Sequence, residues 1–354
     1  MIKRIIPVFF LLTLSLFLVS WGSVGHKIIN GHSVSSFPAS MTGFQTWSDS
    51  LASNASNADT RKSSDSNESP KHFIDIDNYS EFNSTGRIAS TYDSVVIKHG
   101  ATFVVKNGTL PWATSNMFDT LVTDFKKLKW HKAMLDASDL GHYVADGHMP
   151  LHITANYDGG STNQSGIHSR YESDMVYAYQ TALSNYTGTP ATYISNVDKY
   201  VYSYIYKNHI YVDSVLTADS YAVKIDAAYG TAYSAALWSK AQFTNLLFRN
   251  ASHSIADLIY SAWLDAGSPR FGKLTGINSV TKSNLTVNFN PKTGDIHLSG
   301  DDVLKTEVFN TSGQKMSTFT GNILNIGSLS NGIYVLSIDT KNSFSFKQKV
   351  LLIR

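Results

Sequence analysis

Three histidines and one aspartate lie within the eleven residues from His142 to His152. His142 and Asp146 are four residues apart, so a helix would place both side chains on one face. The apolar residues just before them have helical spacing, and Pro150 limits the helix just after them. Imidazole and carboxylate are the ligands that zinc prefers when no thiolate is offered. The pattern therefore indicates a metal site near a helix end, with His152 approaching from beyond the proline.

A second pair with the same spacing follows sixteen residues after His152. His168 and Glu172 are again four apart, and the glycine-rich segment 158–166 allows the chain to fold this pair back onto the first. A single pair of this kind is most often a hydrogen bond on a helix surface. Two pairs with an added histidine favour a shared metal cluster instead.

The start of the chain predicts export. Residues 1–20 have the pattern of a secretory signal peptide, with Lys3 and Arg4 before an apolar run and the small Ser20 at the expected cleavage point. The alternative is a transmembrane anchor, but the run is short for a span and no basic stop follows it. The mature chain would then begin at Trp21.

Length, cysteine content and net charge limit the classes of protein to which this chain can belong. The 354 residues are enough for two domains, and the absence of cysteine means that an exported chain depends on its core, on metal or on both. The formal net charge of +2 falls to zero when Lys3 and Arg4 leave with the signal peptide. A neutral protein lacks the basic surface of a strong duplex binder, although a small nuclease site remains compatible with it.

Four further residues are candidate ligands outside the central block. Trp21 with His26 five residues later is unusual at a new N-terminus, although a buried aromatic anchor is the simpler explanation. His72 ends a polar, turn-rich loop where an apolar run begins, and a histidine at a strand edge is its alternative. Asp75 follows in the same run, where a solvated carboxylate is the more ordinary reading.

Hydrophobic periodicity predicts that the first domain, residues 21–267, is mainly helical. Apolar residues mark one face of amphipathic segments at 115–128 and 191–216, and the long Ala-rich segment 225–266 continues the pattern. The histidines then fall at helix ends and in loops, where ligands from several elements can meet.

Composition changes after Gly267. Residues 268–285 are rich in Ser, Thr, Gly and Lys, which is typical of a linker. Residues 286–354 then show short β-like runs, among them Val303–Asn310 and 333–338. They predict a small β-sandwich, and we find no catalytic combination of residues in it.

The first domain resembles the superfamily of zinc-dependent phospholipases C and S1/P1 nucleases. The residues that carry the resemblance follow the family's chain order: Trp21-Gly22 with Gly25-His26, Asp59, His72-Phe73, the block from His142 to His152, and His168 with Glu172. The start at Trp21 is similar to the nuclease branch, whereas Glu172 is similar to the phospholipase branch, which uses Glu where nucleases use Asp. The resemblance implies a mainly α, phospholipase C/P1 nuclease-like helical domain.

The resemblance also implies three zinc ions. The first would take Asp59, His72, His142 and Asp146; the second would take His152, His168 and Glu172; the third would take Trp21 through its α-amine and carbonyl, His26, and Asp146 as a bridge. Asp65 is the alternative to Asp59 in its variable loop. Such a centre implies a zinc-dependent hydrolase of phosphodiesters, in which Asp59 also acts as a general base beside the attacking water.

For the substrate, the resemblance implies a phospholipase C-like activity, with a single-strand nuclease as the alternative. Arg61 or Lys62 would contact a phosphate oxygen, unless they are solvated loop charges. Phe73 and Asp75 would stack on and hydrogen-bond a nucleic acid base, although phospholipases share that pattern.

Choline-specific residues are missing. Choline phospholipases of this family have an acid, a Tyr and a Phe where this chain has Val24, Thr60 and Ser69, so the resemblance does not extend to that headgroup. A function of another class also fits, namely a zinc-stabilised adhesion or binding module at the cell surface. Nine candidate ligands exceed the four of an ordinary structural site, which favours the enzyme.

The second domain resembles the sorting domain of the Bacteroidetes type IX secretion system. The resemblance is carried by Asn290-Pro291, residues 308–313 and 329–334, and the basic β tail. It implies a Gram-negative host, passage through the periplasm, and release or display at the cell surface by the outer-membrane machinery. We expect no other stable protein partner.

Overall fold

The structure is a computed structural model that describes residues 21–271, 285–300, 302–311, 313–340 and 345–353. The chain divides into two compact units, residues 1–271 and 272–354. The first unit runs on to Phe271 rather than ending at Gly267, because the ring of Phe271 packs on Phe44 and Trp130. The predicted signal peptide at 1–20 and most of the predicted linker at 268–285 lie outside the described residues.

The first unit is built from α-helices. Its first half contains α1 (Gly22–Ser33), α2 (Ser48–Asn54), α3 (Asn57–Arg61), α4 (Ser80–Thr85), α5 (Tyr92–His99), α6 (Ala101–Lys106), α7 (Leu110–Lys126) and α8 (Trp130–Asp146). Its second half contains α9 (Ile167–Ser169), α10 (Val176–Ala178), α11 (Gln180–Leu183), α12 (Val197–His209), α13 (Val212–Ile225), α14 (Thr231–Lys240) and α15 (Thr244–Asp265). A π-helical segment, Arg170–Met175, joins α9 to α10. Every helix in the described part of the chain is too short or too polar to span a bilayer.

The burial of helix α8 increases along its length. Its first part is amphipathic, whereas every residue in its last two turns is buried. Helices α1, α2, α7 and α15 all contact it. Gly141 lets α1 cross closely, because a Cβ at that position would overlap the side chain of Asn30. The close crossing brings His26 of α1 beside His142 of α8, with the two rings stacked and their centroids 3.9 Å apart.

The longest helix, α15, forms the middle of the core. It spans 22 residues, contacts α1, α7 and α8, and buries apolar side chains around most of its circumference, among them Ile255, Leu258, Ile259 and Ala262. A helix that is apolar on several faces belongs inside a bundle. Each such Leu or Ile contributes about 1.5–3 kcal/mol by leaving water. This burial holds α1, which carries His26, and α8, which carries His142 and Asp146, in a fixed relation.

The predicted fold class is confirmed. The segment at 115–128 lies largely in α7, the segment at 191–216 contains α12 and the start of α13, and the segment at 225–266 contains α14 and α15. The strand edge that was the alternative at His72 is not present, since a 3₁₀ turn, Ser69–His72, occupies that place.

The second unit consists of two antiparallel sheets. Its strands are β1 (Thr286–Phe289), β2 (Asp295–Ser299), β3 (Val303–Asn310), β4 (Lys315–Phe319), β5 (Ile323–Asn325), β6 (Gly332–Thr340) and β7 (Ser345–Leu352). The sheet orders are β1-β2-β5 and β4-β3-β6-β7. The predicted strand Val303–Asn310 is β3, and the run at 333–338 lies within β6. Side chains from both sheets form one buried cluster, including Ile296, Leu298, Val308 and Leu336, as expected for a small β-sandwich.

Candidate metal centre

The nine predicted ligands come together in one buried place in the first unit. The last five residues of α8 supply two, and α1 with the residue just before it supplies two. Helix α3 supplies one, the 3₁₀ turns Ser69–His72 and Pro150–His152 supply one each, and the segment from α9 into the π-helix supplies two. The set is Trp21, His26, Asp59, His72, His142, Asp146, His152, His168 and Glu172. Apart from Asp59, with 11% of its side chain exposed, each is at most 6% exposed. So many buried polar groups are costly unless something compensates them.

The first group of donors fits a tetrahedral ion. His72 Nδ1 and His142 Nε2 are 2.9 Å apart, and Asp146 Oδ2 lies 3.1 Å from the former and 3.3 Å from the latter. Asp59 Oδ1 lies 3.5 Å and 3.6 Å from the same two nitrogens. Four ligands at about 2.0–2.2 Å from zinc would stand about 3.3–3.6 Å from one another in a tetrahedron. Three of the five distances lie in this range, and the two shorter ones both involve His72 Nδ1, so the spacing is close to that of a tetrahedral zinc site.

The second group adjoins the first. His168 Nε2 is 3.1 Å from Glu172 Oε1, and His152 Nε2 is 3.4 Å from Glu172 Oε2. Both Nε2 atoms are buried, and neither forms a hydrogen bond of normal geometry. His152 Nδ1 also lies 3.5 Å from Asp146 Oδ1, which links the two groups. Three protein ligands leave one position of a tetrahedral ion open.

The third group consists of His26, His142 and Asp146. His26 Nε2 lies 3.5 Å from Asp146 Oδ1, on the carboxylate whose other oxygen belongs to the first group. Asp146 thus presents its two oxygens to two different sets of donors, which is the arrangement that a bridging carboxylate needs.

Trp21 lies beside Glu172 rather than beside Asp146. Its backbone N donates to Glu172 Oε2 at 2.7 Å, its carbonyl accepts from Gly25 N at 3.1 Å, and its indole Nε1 donates to Ala145 O at 2.7 Å. In the full chain this backbone nitrogen is an amide, which donates a proton and cannot ligate a metal well. The predicted role of its free α-amine in the third site therefore stays a prediction for the cleaved chain.

Backbone carbonyls fix three of the imidazoles. The Nδ1 atoms of these rings donate to backbone carbonyl oxygens: His142 to Ala55 at 2.7 Å, His152 to His72 at 2.7 Å, and His168 to Tyr157 at 3.1 Å. A carbonyl oxygen only accepts, so a neutral ring keeps its proton on Nδ1 and turns the lone pair of Nε2 toward the cluster. Contacts of this kind orient metal ligands in advance.

The charges in the cluster shift one another's pKa values. Burial alone would raise the pKa of Glu172, but His168 and His152 lower it to about 2. Burial alone would lower the pKa of His142, but Asp146 and Asp59 raise it to about 9. Glu172 is thus ionised, and His142 holds a proton that a metal ion must displace.

His148, inside the central block, does not belong to any of the three groups. Its Nδ1 donates to Val144 O at 2.8 Å, and its ring stacks on Tyr204 with centroids 4.4 Å apart. Burial lowers its pKa to about 4, so it is a neutral histidine of the core.

The two predicted phosphate-binding cations lie in different surroundings. Lys62 Nζ is 2.7 Å from Asp59 Oδ1, the oxygen that faces the first group. Arg61 is engaged instead by two carboxylates, with Nη1 2.8 Å from Asp139 Oδ2 and Nη2 3.3 Å from Glu68 Oε1. Of the two cations, Lys62 is therefore the one that contacts a predicted metal ligand.

Phe73 and Asp75 follow directly after the turn that carries His72. The backbone N of Asp75 donates to Asn107 O at 2.8 Å. Burial, assisted by the charge of Asp77, raises the pKa of the Asp75 carboxyl to about 7. A carboxyl that is partly protonated at neutral pH can donate as well as accept a hydrogen bond.

Glu68 is the residue that the sequence analysis missed. It lies in the polar loop before His72, yet it is only 1% exposed. Burial raises its pKa, but His72, Lys71 and Tyr143 together hold that pKa well below its usual range. The signal was present, because Glu68 and His72 are four apart, the spacing of the two recognised pairs.

Comparison with known proteins gives one matching family model and several distant solved structures, among them two alpha-toxins. No curated protein matches the chain. The solved alpha-toxin of Clostridium perfringens from an avian strain is 10% identical with a TM-score of 0.45, over 93% of this chain and 98% of its own. The alpha toxin of Clostridium absonum is 11% identical with a TM-score of 0.44, over 93% and 96%.

The family match concerns the second unit. Residues 286–353 match the family model described as the secretion system C-terminal sorting domain, the range in which the sequence predicted a sorting domain. The match indicates recognition by the type IX secretion machinery. The chain is therefore that of a protein exported to the cell surface or beyond it, and its sorting domain is the β-sandwich of the second unit.

Proposed function

We propose that the first unit is a zinc-dependent phosphodiester hydrolase of the phospholipase C type. The observation that supports this proposal is the linkage of the three groups through one carboxylate: Asp146 Oδ2 faces His72 and His142, whereas Asp146 Oδ1 lies 3.5 Å from His26 Nε2 and 3.5 Å from His152 Nδ1. A structural zinc site is closed by four ligands of its own. Linked groups with an open position are typical of hydrolytic centres.

Zinc ions at these groups would supply Lewis acidity and a water of lowered pKa. Residues of the chain itself would accept the proton and bind the phosphate. Asp59 Oδ2 is buried and has no hydrogen-bond partner, so it is placed to accept the proton of an attacking water. Lys62, 2.7 Å from the other oxygen of that carboxylate, would neutralise a phosphoryl oxygen.

A phospholipid is the substrate that we propose. Glu172 stands where the phospholipase branch has Glu, and the mature chain has no net positive charge to attract a polyanion. Val24, Thr60 and Ser69 replace the choline-binding residues, so we propose a headgroup other than choline.

The test compares three substrates on one preparation. Mature protein starting at Trp21 and loaded with zinc is assayed on phospholipid vesicles of several headgroups, on single-stranded nucleic acid, and on a chromogenic phosphodiester. We expect release of a phosphorylated headgroup from at least one phospholipid. Cleavage of the nucleic acid alone would make the protein a nuclease, and no cleavage of any substrate by protein that holds zinc would support the binding module.

Removal of metal is expected to lower stability as well as activity. The cluster buries carboxylates and imidazoles without a disulfide nearby, so the ions compensate charge in the core. Exhaustive chelation, with metal loss verified, should lower the melting temperature by several degrees and abolish hydrolysis. An unchanged melting temperature would show that the core does not depend on the ions.

Deletion of residues 286–354 is expected to separate export from catalysis. The first unit has its own core and contains the whole cluster, whereas the deleted part matches the sorting domain. The truncated protein should keep its hydrolytic rate and accumulate in the periplasm, as measured by fractionation. A truncation that is folded yet inactive would assign part of the active site to the second unit.

A further inference from the structure

Glu68 is an ionised carboxylate buried beside the first donor group. Only 1% of its surface is exposed. It accepts hydrogen bonds from the Tyr143 hydroxyl and from Arg61 Nη2 at 3.3 Å, and its other oxygen accepts from Lys71 Nζ at 2.8 Å. A buried carboxylate with this many donors is rigidly placed, because losing any one of them costs the desolvation of the charge.

The three donors share one property: each is close in sequence to a ligand of the first group. They are Arg61, two residues after Asp59; Lys71, just before His72; and Tyr143, just after His142. One carboxylate therefore ties together the three chain segments that bring these ligands to one point. The fourth ligand, Asp146, lies on the same helix as His142.

Glu68 also faces His72 directly. Its Oε1 lies 3.5 Å from His72 Nε2, on the opposite side of the ring from the Nδ1 that joins the donor group. A neutral ring that ligates through Nδ1 carries its proton on Nε2, the atom that lies 3.5 Å from Glu68 Oε1 and forms no hydrogen bond of normal geometry with any other group. His142, His152 and His168 have carbonyl oxygens in the equivalent place. His72 has a full negative charge there instead.

We infer that Glu68 is a positioning residue of the metal centre, which sets the affinity of the first group by orienting His72 and by holding its three ligand-bearing segments in register. A carboxylate behind a ligating histidine makes the ring a stronger ligand. The inference rests on the proposed metal centre but not on the proposed substrate.

The variant that isolates this role is Glu68→Gln, which keeps the shape and removes the charge. Mature protein starting at Trp21 is loaded with zinc and titrated with a chromogenic chelator, which counts the ions released at each chelator concentration. We expect one ion per chain to bind ten- to a hundredfold more weakly than in the wild type, with the other ions unchanged.

A matched control comes from a carboxylate that is buried elsewhere in the same unit. Asp257 is 3% exposed and accepts from the Tyr200 hydroxyl and from Thr192 N, each at 2.7 Å, and it belongs to none of the three donor groups. Asp257→Asn should lower the melting temperature of the chelated protein at least as much as Glu68→Gln, yet leave the release curve unchanged. If Glu68 only stabilised its loop, Glu68→Gln would lower the melting temperature and leave zinc release unchanged, as Asp257→Asn does.

Tyr143→Phe provides a second variant, since it removes one donor and leaves the carboxylate. We expect the same ion to be weakened several-fold, and this variant carries the test if Glu68→Gln does not fold. An unchanged release curve in the folded variants, or equal weakening of every ion, would overturn the inference. A wild type that binds no zinc would instead overturn the proposed function, so the two failures are distinguishable.

Discussion

Asp146→Asn is expected to remove metal from more than one position and to reduce hydrolysis by about three powers of ten. The carboxylate has Oδ2 3.1 Å from His72 and 3.3 Å from His142, and Oδ1 3.5 Å from His26. An amide in its place offers one neutral oxygen and a nitrogen that cannot ligate. A bound metal contributes several kcal/mol to such a transition state, and each 1.36 kcal/mol is a factor of ten in rate.

His148→Ala is the control, because it changes a buried residue of the same block. The ring stacks on Tyr204 and donates to Val144 O, so its loss should cost about 2–4 kcal/mol of stability through the cavity. Metal content per folded chain should stay at the wild-type value. Elemental analysis of the two purified variants measures their metal content. Equal metal loss from Asp146→Asn and His148→Ala would mean that the metal ligands within residues 142–152 are wrongly assigned.

An extra residue before Trp21 is expected to abolish one metal position. A free α-amine has a pKa of about 7.7–8.0, so a metal ion can displace its proton near neutral pH. An amide nitrogen in the same place is a donor, as its 2.7 Å hydrogen bond to Glu172 demonstrates. Protein that begins with one additional Met should bind one zinc fewer than protein that begins at Trp21, and turn over about a hundredfold more slowly.

Trp21→Phe separates the amine from the side chain. This variant keeps the free N-terminus and loses the indole hydrogen bond to Ala145 O, which is worth about 1 kcal/mol. Its zinc content should equal that of the wild type. If the extended protein and the protein starting at Trp21 hold equal zinc and react equally fast, Trp21 is a packing residue only.

The helical fold and most of the cluster could be predicted because their signals are local. The spacing from His142 to Asp146 and from His168 to Glu172, and the switch to alternating strands at β3, depend on neighbours within a few residues. The orientation of the rings could not be predicted in this way. His142 finds its carbonyl partner 87 residues away at Ala55, and His152 finds its partner 80 residues away at His72.

Glu68 was missed for a different physical reason. Loop composition predicts exposure on average, and the stretch before His72 is polar throughout. Three donors from separate segments are needed to bury a charge there, and no local pattern shows that Tyr143 will be one of them. In the same way, the engagement of Arg61 by Asp139 depends on how α3 packs on α8.

The position of Asp146 at the last residue of α8 has an electrostatic consequence for the order of binding. The C-terminal end of a helix carries a partial negative charge of about half an electron, which adds to the carboxylates of Asp59, Asp146 and Glu172. This field attracts divalent cations and repels phosphate. A phosphodiester should therefore bind only after the ions have reversed the sign of the potential, so a non-hydrolysable phosphonate ester should show no measurable affinity for the metal-free protein.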